Sequence, residues 1–243
     1  MIAIALITDA KKGMSAKQLE RNLGVHYETA WNMYMKLRKL MIEPQKKLNG
    51  IVEMDETFIG GKPRWGADNY AMSTKKRVDI DSRLTELKED GIIIRKGKSK
   101  PKKPATNIKR GRGAKKIPVV GIVQRDGNVI AQVMRTLSYK NLKSMVQQHV
   151  KNEDTVVITD EYRGYSKFES IIEHIKIDHN KRLYSYRGVN TNTIESFWAI
   201  IKRGIVGQYH QVSLKYLPDY VTEFVFKYNN RSKDDMFITL VRN

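Results

Sequence analysis

Three acidic residues have the types and spacing to act together. Asp55 lies inside the apolar stretch Ile51-Val-Glu-Met-Asp-Glu-Thr-Phe58, and Asp160 closes another, Thr155-Val-Val-Ile-Thr-Asp160. Glu195 follows 35 positions after Asp160, where an amphipathic run at 193–203 opens. A carboxylate among strand-forming apolar residues is costly unless it has a partner or a task. Three of them drawn together repel and raise one another's pKa. A hard divalent cation offsets that cost, and Mg²⁺ needs only a few carboxylates beside water and phosphate. Two such ions clamp the attacking and leaving oxygens of an in-line phosphoryl displacement, with no general-base side chain required. Glu53 and Glu56 flank Asp55 and read as structural. Glu161 reads as a helix N-terminal acid.

The surrounding pattern predicts the elements that must position these acids. Strands are expected at 51–58, 117–124 and 128–136, the last two joined by the hairpin signal Arg125-Asp126-Gly127. A helix at 141–151, a strand at 155–160, a helix at 162–174 and a strand at 175–178 follow, then helices at 193–203 and 214–230. This is the ribonuclease H-like order, an α/β fold with a mixed five-stranded sheet flanked by helices. Such a sheet sets its first and fourth strands side by side, which brings Asp55 and Asp160 together. Residues 44–50 read as a linker. Before it, residues 1–43 read as helices. Ser15-Ala-Lys-Gln18 is a capping box, Gly24 breaks the chain, and a longer helix at 27–41 carries Ala30, Met33 and Leu37 on one face.

Charge points to the partner. With 45 Lys and Arg against 26 Asp and Glu, the net charge is +19. Such an excess favours a polyanion, because basic side chains that meet phosphates release condensed counterions. The short helix, glycine turn and longer helix of 1–43 form a helix-turn-helix pattern. It would turn His26, Tyr27, Glu28 and Thr29 to a major groove; the alternative is a small helical bundle without a DNA role. Residues 62–116 form an insertion, and in 95–116, 11 of 22 residues are Lys or Arg. Lys109, Arg110 and Arg112 are its candidate phosphate contacts, the alternative being a solvated insertion. The absence of cysteine excludes a disulfide, a Cys nucleophile and Cys-ligated zinc within this chain. The apolar run at 1–7 is far short of a bilayer span, so the chain reads as soluble and cytoplasmic. Gly60-Gly-Lys62 lacks P-loop spacing, so nucleotide hydrolysis is not expected.

Three blocks also carry a resemblance. They are Val52-Glu-Met-Asp55-Glu-Thr-Phe-Ile-Gly-Gly61-Lys62, Ile158-Thr-Asp160-Glu-Tyr-Arg-Gly-Tyr165 and Thr191-Asn-Thr-Ile-Glu195-Ser-Phe-Trp198-Ala-Ile-Ile-Lys202-Arg203-Gly. Together they resemble the catalytic blocks of DDE transposases of bacterial insertion sequences, nearest the ISXO-like group. Gly207-Gln-Tyr-His210 and Glu223-Phe-Val-Phe-Lys-Tyr228-Asn-Asn-Arg231 are similar to that group's C-terminal block, and residues 13–41 to its helix-turn-helix. The resemblance implies Mg²⁺- or Mn²⁺-dependent cutting of transposon ends and strand transfer into double-stranded target DNA. It further implies a homodimer on DNA and association with the nucleoid. By position, Asp55 and Asp160 match the first two metal ligands and Glu195 the third. Members of the group can use Asn there, which makes Asn192 a rival. Lys202 matches the trailing basic residue, and with Arg203 it is a candidate DNA contact. His179 sits in a family-like Asp-His-Asn block. The group's usual Cys-rich zinc ribbon has no counterpart in this sequence, and Asn190 stands where relatives tend to carry His. The competing reading is a transposase remnant or a helix-turn-helix regulator that binds DNA without cutting.

Overall fold

A computed structural model describes residues 1–44, 46–60, 116–177, 190–233 and 235–242, all within one compact unit. The basic block with Lys109, Arg110 and Arg112, and also His179, lies outside the described residues.

Five strands form one sheet in the order β3-β2-β1-β4-β5. They are β1 (Leu48–Ile59), β2 (Ile117–Gln124), β3 (Val129–Val133), β4 (Val150–Thr159) and β5 (Glu173–Lys176). β1 runs antiparallel to β2 and parallel to β4, and β4 runs parallel to β5. This mixed order is the ribonuclease H-like arrangement that the sequence predicts. Period-two alternation sorts the side chains of β1. Val52 and Met54 enter the core beneath helix α4 (Tyr139–His149), with Val120, Ile122, Leu142 and Phe168. Glu53, Asp55 and Ile59 lie on the opposite face, where Ile194, Phe197, Trp198 and Phe224 pack from helices α5 (Asn192–Gly204) and α6 (Leu217–Asn229).

Three helices precede the sheet: α1 (Ile2–Asp9), α2 (Ala16–Leu23) and α3 (Tyr27–Leu40). Ser15 caps α2 by accepting the Gln18 N–H at 3.1 Å, as the capping box predicts. Gly24 ends that helix at φ +65°, a conformation that suits glycine. The apolar faces of these helices share a core with Phe226 of α6 and with Leu240 of a last helix, α7 (Met236–Arg242).

Several boundaries differ from the sequence reading. β1 begins at Leu48, inside the expected linker, because its N-terminal end pairs with Val150 of β4. The strand β4 is correspondingly longer, and Asp154 at φ +52° absorbs the irregular register there. The helix expected at 162–174 is instead two short 3₁₀ turns, Arg163–Tyr165 and Phe168–Ser170. Tyr162, Tyr165 and Phe168 recur every three residues, which is the 3₁₀ period, and their rings meet edge to face. β5 consequently starts two residues early. The helix α7 was not anticipated; its single buried leucine gives too short a pattern to read.

Candidate catalytic site

The parallel ladder pairs Val52 with Val157 and Glu53 with Ile158. The ladder ends there; Asp55 lies two residues further along β1 and Asp160 two residues beyond Ile158, near enough for the Asp160 charge to act on Asp55. The adjacency of β1 and β4 thus places Asp55 on one strand near Asp160 just past the end of the other. Asp55 is half-buried, and its pKa is pushed up to about 7, first by burial and then by the charges of Glu56 and Asp160. Asp160 lies one residue past β4, and its Oδ1 accepts the Tyr162 N–H at 2.9 Å, which fixes the turn after the strand. Glu56 points to the other face of the sheet, where it accepts the buried Tyr165 hydroxyl at 2.8 Å.

Helix α5 lies over Asp55. The Trp198 indole N–H donates to Asp55 Oδ2 at 3.1 Å. Gly121, the residue that faces Asp55 across β1 and β2, makes this possible. A Cβ there would stand 2.7 Å from two atoms of the indole ring. The sequence did signal this contact: a glycine inside the β-branched run Ile-Pro-Val-Val-Gly-Ile-Val marks a close approach. Trp198 is thus both core and partner to the acid.

Glu195 and Asn192 sit one turn apart at the start of α5, and both are exposed. The Glu195 carboxylate accepts the Thr191 hydroxyl at 3.0 Å. Among the described residues, no three His, Cys, Asp or Glu side chains converge to hold a metal ion. The structure brings together Asp55 and Asp160, and places Glu195 on the helix above them without joining it to the pair. Lys202 and Arg203 are exposed on the last turn of α5.

The chain matches the family of ISXO2-like transposase domains over residues 86–229, more than half its length. It belongs to that family. A search of curated proteins finds no match. Among solved structures, the transposase is similar to the Mos1 strand transfer complex, over 98% of this chain and 72% of that one, at 13% identity and a TM-score of 0.36. It is also similar to a pre-cleavage Mos1 transpososome, over 98% and 77%, at 13% identity and a TM-score of 0.34.

Elsewhere in the transposase, His26, Tyr27, Glu28 and Thr29 are all exposed at the start of α3, with the Lys17 ammonium 5.8 Å from the Tyr27 ring. The other end of α3 is tied to α6 by a buried polar cluster. Glu223 accepts from Arg38 Nε at 2.8 Å, Lys227 Nζ at 2.6 Å and the Tyr34 hydroxyl at 2.7 Å. The Arg38 guanidinium lies between the rings of Tyr34 and Tyr220, 3.9 and 3.7 Å from their centroids. Burial alone would raise the Glu223 pKa, but Lys227 and Arg38 outweigh it and hold it at about 2. The resemblance marked Glu223 as part of a block; its ionic partners were hidden, because Arg38 reads as one more surface charge on α3. No helix among the described residues is long and apolar enough to cross a membrane.

Proposed function

We propose that this transposase cuts the DNA at the ends of an insertion sequence and joins them to target DNA, with Asp55, Asp160 and Glu195 as its catalytic acids. The observation that carries the reading is the Asp55–Asp160 pair: Asp55 on β1, held by the Trp198 indole, and Asp160 just past the end of the neighbouring β4. Burial and adjacent acids make Asp55 a poor home for an uncompensated charge. An all-oxygen pair of this kind suits Mg²⁺ or Mn²⁺, which takes one or two carboxylates and completes its shell with water and phosphate. Bound there, the cation supplies charge neutralisation for an in-line displacement at phosphorus. The protein's own part is positioning. Trp198 orients the Asp55 carboxylate, Tyr162 holds Asp160, and α5 carries Glu195 above them, with Asn192 one turn away as its rival. Lys202 and Arg203, exposed on the same helix, would reach phosphates of the DNA end.

Residues 1–43 serve in this reading as the helix-turn-helix DNA-binding domain and 51–243 as the catalytic domain, with 44–50 joining them. Tyr27 and Thr29 present themselves to base edges. Lys109, Arg110 and Arg112 grip the phosphate backbone, and two copies assemble on the paired ends. The alternative is a protein that binds these ends without cutting, and cleavage of the cognate end separates the two. With Mg²⁺ or Mn²⁺ the parent should nick that DNA, and EDTA should stop it. Asp55→Asn and Asp160→Asn should lose cleavage by three orders of magnitude or more while binding DNA as the parent does. Cutting in EDTA, or by either variant, would sink the mechanism. Glu195→Gln and Asn192→Ala, assayed side by side, decide the third ligand: the variant that fails to cut at saturating Mg²⁺ names it.

A further inference from the structure

We propose that Glu53 is a positioning residue, which locks the first turn of α5, and with it Glu195, to the strand that carries Asp55. The role of Glu195 here rests on the reading above; the anchor itself rests on the following contacts. Glu53 is fully buried and stands two residues before Asp55 on the same face of β1. Its carboxylate accepts four hydrogen bonds. Oε2 takes the backbone N–H groups of Thr193 and Ile194 at 2.9 and 3.0 Å. Oε1 takes the Thr193 hydroxyl at 3.0 Å and Arg125 Nε at 2.9 Å. The same guanidinium reaches back to the Asn190 carbonyl at 2.8 Å.

Helices α2 and α4 carry their own caps, Ser15 and Ser138. Helix α5 does not: Thr191, at its N-cap, makes no side-chain cap bond. The Asn190 amide oxygen takes the Asn192 N–H at 3.2 Å, and the next two N–H groups of its first turn are met by an acid from the sheet. A cap drawn from β1 does what a local serine cannot. It fixes the helix to the strand in both height and rotation, so the residue that bears Glu195 keeps a set place relative to Asp55. Arg125, from the hairpin between β2 and β3, balances the buried charge and grips the segment that enters the helix.

The test uses the full chain with Trp31→Phe and Trp65→Phe, which leaves Trp198 as its sole indole. Paramagnetic Mn²⁺ bound beside Asp55 should quench Trp198 fluorescence, so that metal binding is read without DNA or catalysis. Glu53→Gln should raise the half-quenching Mn²⁺ concentration about tenfold or more, in line with losses of residues that orient metal ligands. It should lower kcat for cleavage by a similar factor with KM for DNA unchanged, and speed hydrogen exchange at the Thr193 and Ile194 amides. Arg125→Lys keeps the charge but loses the forked reach to Asn190, and should shift all three readouts in the same direction by less. This milder variant decides the matter if Glu53→Gln fails to fold. Faster exchange with unchanged Mn²⁺ half-point and kcat would leave Glu53 a structural cap only and overturn the proposal; so would unchanged exchange. Failure of the site reading shows separately, as Mn²⁺ quenching that Asp55→Asn does not alter. Exchange at Thr193 and Ile194 then still decides whether Glu53 anchors the helix.

Discussion

At the scale of single residues, two acids of opposite character set the pH behaviour. Asp55 keeps its proton up to about pH 7 in the folded protein, against an ordinary 3.8, because burial and neighbouring acids disfavour its charge. Between those values the folded state holds a proton that the unfolded chain releases, so this group's contribution to stability falls as pH rises. In EDTA, Asp55→Asn should therefore melt several degrees above the parent at pH 8, with the gap closing as pH falls from about 7 toward 4. Equal melting temperatures at pH 8 would contradict the buried, uncompensated charge. Glu223 behaves in the reverse sense. Its pKa, held at about 2 against an ordinary 4.5, adds stability that is complete above pH 4.5 and is lost as pH falls toward 2. Glu223→Ala leaves Arg38 and Lys227 buried without their counter-charge and should cost about 3–5 kcal/mol in denaturant unfolding. Neither shift was readable from the chain. The sequence shows that Asp55 sits in an apolar run and that Gly121 admits a close neighbour, but not that the ring filling that space is Trp198, 143 positions from Asp55.

At the scale of elements, helix α5 is the piece whose seating matters most. Its register on the sheet depends on the space above Gly121. Gly121→Ala should force the indole off Asp55, lower stability by about 1–3 kcal/mol through overpacking and slow cleavage with DNA affinity retained. Circular dichroism melts and a cleavage time course measure the two parts. The order of strands and the start of α2 were readable, because alternation and capping are local signals. The 3₁₀ turns at 163–170 were not: their apolar spacing of three passes for the helical three-and-four until the rings are seen to stack. Helix α3 offers a second element-level expectation. Its first turn is exposed while its far end is clamped by Glu223, so it can present side chains without itself yielding. Replacing Tyr27 or Thr29 by Ala should change which DNA sequences are preferred more than it changes non-specific affinity, because base edges carry sequence information and phosphates do not. Selection from a randomised DNA pool would show it.

At the scale of the whole molecule, the element order conveyed the architecture, while the core shared by α1–α3 with α6 and α7 was invisible, since no local pattern says which apolar faces meet. Deleting residues 95–116 should weaken binding to all DNA sequences alike and flatten the salt dependence of log K by roughly 0.9 for each phosphate contact removed; an unchanged slope would make that block a mere solvated insertion. Ile59 and Ile117 are direct partners in the β1–β2 ladder, so the chain leaves the sheet and returns to it on the same rung. A break anywhere in residues 61–115 would part the molecule into two pieces, one bearing Asp55 and the other Asp160. Eight residue pairs between β1 and β2 would be left to rejoin them, together with the β1–β4 ladder, the Glu53 contacts to α5 and the Arg38–Glu223 cluster. The transposase is thus a natural two-fragment reporter: co-expressed halves cut there should regain activity in proportion to their concentration, with assembly and chemistry read by the same assay.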